Sequence, residues 1–295
     1  MTPESRRFRF VQFEFPWTLG PDPGRYPIRE RLGEPPAYVL VIAELGARER
    51  RRLIARAGRR RPRAVEAEPE PEPEPVLTTR ATLIDAAALD GYEAAAAWLA
   101  DADLEALADG ALARLNRVLH AHRVAAADPY AREVARAQAL AVRAGFGNGE
   151  RVADGRWDRA RSLPAGSGGA RPLRPRTAAL RPQERLAALL TGRDAVLACE
   201  DLTLRVRLDV DAARWREAAL GLRAAFDAAL AELDPWREVP GLPRRVEELR
   251  ARSDAVHALA AAALQGGLDD GQIELVQTVL GRLEAALRAR TASGV

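Results

Sequence analysis

The sequence contains no lysine; all 45 of its basic residues are arginine. A lysine Schiff base, a pyridoxal-phosphate anchor, a Ser-x-x-Lys nucleophile and the lysine of a phosphate-binding loop or a kinase are therefore excluded. The single cysteine, Cys199, rules out an intrachain disulfide and any cysteine-cluster metal site, which suits a reducing compartment. Histidine is nearly as scarce: His120, His122 and His257 are all there are. On a helix His120 and His122 lie about 200° apart and cannot chelate one ion, so no metal site is expected. No apolar run approaches the roughly 18 residues of a membrane span, and the N-terminus, with Glu4 and its Phe-Arg-Phe alternation, has no signal-peptide core. A cytoplasmic protein without membrane contact or cofactor is the expectation.

Catalytic patterns are equally thin. There is no Gly-x-Ser-x-Gly elbow, and the carboxylate pairs Glu200-Asp201, Glu247-Glu248 and Asp269-Asp270 are sequence neighbours, as on solvated helix faces or N-caps. The chain leans towards not being an enzyme.

What is present is alanine, 61 of 295 residues. Alanine buries little area, so the core must come from close packing around Leu, Val and a few large aromatics. The bias to arginine and alanine together reads as genome composition. Overall charge is only +3.

Along the chain, Phe8 to Phe15 alternates as a strand buried on both faces, Arg25 to Arg29 reads as a short edge strand with Pro27, and Ala37 to Glu44 is the clearest strand. A fourth runs from Val76 to Ile84, and a helix from about Asp90 to Ala100 covers one face. Residues 1–47 plus 76–100 thus form a small α+β unit, interrupted at 48–75 by nine arginines in Arg48 to Arg63 and then a Glu-Pro repeat with five glutamates, an extended spacer. Residues 101–161 read as a helical hairpin. Its first helix carries Leu104, Ala108, Ala111, Leu115, Val118 and His122 on one stripe; its second is opened by Asp128-Pro129 and stopped by Gly145. The Gly-Phe-Gly-Asn-Gly run from Gly145 to Gly149 is read as a helix stop and turn in preference to a phosphate loop, because no strand precedes it in this reading.

Residues 162–181 form a basic linker: from Arg151 to Arg181 there are eight arginines and two aspartates. Residues 182–295 carry long apolar stripes, as an antiparallel helical bundle does. Within it Leu204, Val206, Leu208 and Val210 alternate like a strand, but the length of the segment favours a helix. The expected class is α+β, mostly α: a β-rich N-terminal unit, a helical hairpin and a C-terminal bundle.

Three functions stay open. The leading one is a non-enzymatic interaction or scaffold protein with a protein partner, which exposed leucines on a helical surface would favour. The second is weak, non-specific nucleic-acid binding through Arg50, Arg51, Arg52, Arg59, Arg60 and Arg61. The third is a small-ligand binder or an enzyme without a familiar motif, centred on residues 116–157, with Asn116, His120, Arg143, Glu150 and Arg156 as candidates. Convergence of Asn116, His120, Arg143 and Glu150 on one concave pocket would favour that reading.

Overall fold

The computed structural model describes residues 6–31, 33–46, 77–165, 182–236 and 238–292. The chain divides into two units, residues 1–169 and 170–295. The first holds a six-stranded sheet and the second is helical.

The sheet is built on β1 (Arg6–Phe15), which sits between β4 (Thr78–Asp90) and β5 (Ala141–Gly147). β2 (Gly24–Ile28), β3 (Tyr38–Leu45) and β6 (Arg159–Leu163) complete the order β2-β3-β4-β1-β5-β6, and every neighbouring pair is antiparallel. Alternation along β1 decides what each face buries. Val11, Phe13 and Phe15 point towards α1 (Gly91–Asp101) and α2 (Leu104–Ala125), packing with Leu40, Ile42, Leu83, Val142 and Phe146 of the sheet and Leu99, Leu115 and Leu119 of the helices. Phe8 and Phe10 point the other way, against Ile84, Val152 and Trp157. Both faces are therefore covered, as the double alternation of β1 requires.

The four strands expected from sequence are present, as are the two helices at 91–101 and 104–125. Asp103 caps α2 by accepting the Ala106 N–H at 3.0 Å. The second helix of the expected hairpin does not form. After α2 the chain runs as loop through a short 3₁₀ turn, Arg136–Gln138, into β5. Asp128 does accept an N–H two residues on, from Tyr130 at 2.9 Å, but the result is a local turn and no helix follows. Tyr130 and Leu140, which a helix from Asp128-Pro129 to Gly145 would place on one side, are exposed, Tyr130 by 83%.

The glycine run has a corresponding explanation. In β5, Val142, Ala144 and Phe146 face the helices, while Arg143, Gly145 and Gly147 face back. A Cβ on Gly145 would lie 2.2 Å from the Arg159 carbonyl of β6, and one on Gly147 would lie 2.7 Å from a Val152 methyl. These positions are glycine because β6 and the segment after β5 lie directly on the strand. Residues 101–161 are thus part of the sheet unit and not a separate hairpin.

The helical unit contains α3 (Pro182–Leu190), α4 (Ala198–Asp211), α5 (Trp215–Glu232), α6 (Leu242–Arg250), α7 (Ser253–Gln265) and α8 (Asp270–Ala292). α5 packs against α4, α6, α7 and α8. It brings Leu222 and Phe226 into a core with Leu249, Val256, Leu280 and Leu283. The alternating segment at 204–210 is helical, within α4. The apolar positions from Leu242 to Leu264, spaced by threes and fours as on one helix, belong to two, broken at Ala251 and Arg252, and Leu264 itself is exposed.

The α3–α4 end of this unit is pinned by buried charge. Arg290 near the end of α8, 3% exposed, donates to Asp194 at 2.7 Å and to Glu200 at 3.1 Å, and its guanidinium lies 4.4 Å from the Trp236 ring centroid. Arg185 of α3 reaches the same two carboxylates. Burial alone would raise the Asp194 carboxyl, but the Ala195 N–H, Arg290 and Arg185 hold it below the ordinary aspartate value. Glu232 is also held low: burial opposes this, but the N–H groups of Cys199 and Ala198 and the Cys199 thiol prevail, so Glu232 caps the start of α4 from the end of α5.

Candidate functional site

Two features stand out, one in each unit. In the sheet unit a pocket of about 430 Å³ opens near the C-terminal end of α2, between the loop carrying Trp17, Thr18 and Gly20 and the stretch from Asp128 to Gln138. Asn116 fixes the second wall. Its side chain donates to the Val134 carbonyl at 2.9 Å and accepts the Val134 N–H at 2.8 Å, so a chain segment without helix or strand is held to α2 at both backbone groups.

One turn along α2, His120 Nδ1 lies 3.1 Å from an Arg123 nitrogen and 3.7 Å from a Glu133 oxygen. Nδ1 thus faces a guanidinium, which only donates, and a carboxylate, which only accepts, and the ring's tautomer decides which of the two contacts it makes. The Glu133 side chain is 6% exposed and lines the pocket. Trp17 stands at the opposite wall with its ring centroid 5.6 Å from that of Phe15. His122 is half-buried, with its ring against Gly20 behind the same loop.

The remaining sequence candidates do not join this site. Arg143 sits opposite Gln12 on the face of the sheet turned away from α2, 3.0 Å from Glu14, with its guanidinium 5.9 Å from the Trp157 ring centroid. Glu150, in a short 3₁₀ turn after β5, pairs with Arg25. Arg156 is exposed and has no ion-pair partner among the described residues. The convergence of Asn116, His120, Arg143 and Glu150 therefore fails: two are on α2 and two are across the sheet. Arg50, Arg51, Arg52, Arg59, Arg60 and Arg61 lie outside the described residues. Among the described residues no group of three or more His, Cys, Asp or Glu could hold a metal ion, and no helix is long and apolar enough to cross a membrane.

In the helical unit the feature is apolar. Leu186, Leu190, Val196, Leu204 and Leu208 are all exposed, Leu190 by 79% and Leu204 by 70%. α3 buries no residue, and Leu186 and Leu190, four apart, share one side of it. On α4, Val206 and Val210 enter the core while Leu204 and Leu208 face out. Arg185 ties α3 to Glu200 in the first turn of α4, so the two stripes are carried on linked elements.

Sequence reasoning missed Trp17, Tyr130 and Glu133: Trp17 lies just past the strand ending at Phe15, and residues 130–144 read as a helix. The exposed leucines had a readable signal. Residues two apart on a helix lie about 200° from each other, so four alternating aliphatics on a helix cannot all be buried against one neighbour. Leu204 and Leu208 are the pair left over. Compared with protein-family models, with curated proteins and with solved structures, the chain matches none.

Proposed function

We propose that this chain is an interaction protein that docks a partner protein through the aliphatic surface of α3 and α4. The observation that carries this reading is the exposure of five large aliphatic side chains between Leu186 and Leu208. Single exposed apolar residues are ordinary on protein surfaces, but stripes of them are characteristic of surfaces that another molecule covers. The underlying framework is rigid enough to present them: Arg290 and Arg185 clamp Asp194 and Glu200 on either side of Val196.

The test uses the full chain, tagged, in extract of the cells that make it. Leu190 and Leu204 contribute little to the fold, so the double variant Leu190→Glu, Leu204→Glu should change stability by no more than about 0.5 kcal/mol per site. It should also lose the protein that the unaltered chain retains. Equal retention by the double variant, with melting unchanged, would remove the α3–α4 surface from consideration.

A further inference from the structure

The pocket of the sheet unit supports a second binding activity, independent of the aliphatic surface. Its volume, about 430 Å³, falls in the roughly 300–1,000 Å³ range of small-molecule sites. Its walls are held in place before any ligand arrives, by the Asn116 clamp on one side and by the packing of Trp17 on Phe15 on the other. Preorganisation of this kind lowers the cost of binding.

The lining chemistry narrows the ligand. Trp17 and Tyr130 offer aromatic surface, and Tyr130 is 83% exposed. Their rings do not stack on one another, which leaves both available to a guest. Between them the polar groups are mixed in kind. Thr18 can donate and accept, and Asp128 has a second oxygen beyond the one bound to the Tyr130 N–H. The Gln138 oxygen is taken by the Ala135 N–H at 2.7 Å, which leaves its amide hydrogens to donate.

Charge near the pocket balances. The lining holds both signs, Asp128 and Glu133 against Arg132, and Arg123 lies beyond His120, which the nearly buried Glu133 also approaches. A strongly cationic or anionic guest would find no net attraction. A neutral ring with an apolar face and several hydroxyl groups would stack on an aromatic side chain while its hydroxyls used donors and acceptors at once. We propose that the Trp17–Tyr130 pocket binds such a ring, a sugar.

The experiment is titration calorimetry on the full chain with D-glucose, D-galactose, D-mannose and N-acetyl-D-glucosamine, alongside tetramethylammonium, inorganic phosphate and adenine. At least one sugar should bind and the other three probes should not. Tyr130→Ala should weaken that sugar about tenfold, the loss of one aromatic contact at the upper end of its usual worth. Because Tyr130 is exposed, its melting temperature should not move, so a loss of binding cannot be a loss of fold. Thr18→Val should weaken the same sugar severalfold, as expected for one lost hydrogen bond. Binding of none of the four sugars overturns the proposal. So does binding of the cation, phosphate or adenine in their place, or sugar binding that Tyr130→Ala and Thr18→Val leave unchanged.

Discussion

The two units reach stability by different routes. The sheet unit buries aromatics, Phe10, Phe13, Phe15 and Phe146, between strands far apart in sequence: β1 pairs with a strand some seventy residues on and with another well over a hundred on. The helical unit buries mostly Leu, Val and Ala where helices cross, in a core gathered around α5, which touches its neighbours α4 and α6 and the later α7 and α8. Where its aliphatic core thins out, at the α3–α4 end, buried charge takes over. A buried ion pair is seldom the most stable solution, but breaking one is costly. The helical unit should therefore be more sensitive to single charge changes than the sheet unit.

The largest expected effect is Arg290→Met. It leaves Asp194 and Glu200, whose side chains are 8% and 11% exposed, to share Arg185 alone. Removing one partner of a buried ionic group costs about 3–5 kcal/mol. Cys199 provides a local probe: burial, with Glu232 close by, pushes its thiol up to about 12, so at neutral pH it should resist alkylation until the helical unit opens. Arg290→Met should raise the alkylation rate at least a hundredfold, the order expected of about 3 kcal/mol when opening is at equilibrium. An unchanged rate would mean the charge cluster does not hold this end closed.

Next come the two core leucines, Leu115 in the sheet unit and Leu222 in the helical one, each essentially buried. Alanine at either should cost about 2–5 kcal/mol, measured by denaturant unfolding of the full chain. Leu222→Ala should expose Cys199 and Leu115→Ala should not. If both accelerate its alkylation equally, the two units unfold together and the contrast between them fails.

A smaller loss is expected at His120. An exposed and idle His120 would tolerate alanine at under about 1 kcal/mol. The structure places it between Arg123 and the buried Glu133, so His120→Ala should cost about 1–3 kcal/mol, the range for leaving a buried polar group short of a partner.

Acid gives the subtlest comparison. The folded-state values of Asp194 and Glu232 are depressed, so their contribution is fully present above the unfolded carboxylate values, near pH 4. It is lost as pH falls through the folded values. In the sheet unit the hydrogen bond from Arg114 likewise holds Glu30 low, but Glu30 is partly exposed and screened by water. Helical signal and Cys199 protection should therefore fail before the β-sheet signal when the chain is taken below about pH 4. The reverse order would mean that the sheet unit holds the more acid-sensitive contacts.

The same contrast explains what the sequence could reveal. Helical stripes are local, and α4 to α8 follow from periodicity read within one segment. β1 and β3 were legible because consecutive large residues, Phe13 with Phe15 and Leu40 with Ile42, alternate over short runs. β5 was not. Its front face is Val142, Ala144 and Phe146, and alanine suits a helix as well as a strand, so Asp128-Pro129 and Gly145 looked like the two ends of a helix. What decides it is pairing with β1, a contact across more than a hundred residues that no local pattern encodes. The pocket was hidden for the same reason: its two walls, near Trp17 and near Tyr130, meet only once β5 has docked.

The interaction reading is tested most directly by photo-crosslinking in the cells that make the protein, with a photoreactive residue placed in turn at positions 190, 204 and 223. Leu190 and Leu204 lie on the aliphatic stripes; Arg223 is exposed on α5 and paired with Asp227. The account predicts one discrete protein adduct, the same from positions 190 and 204, that is absent from 223 and is lost from 190 when Leu204→Glu is introduced. No adduct from 190 or 204, or the same adduct from all three positions, would contradict it.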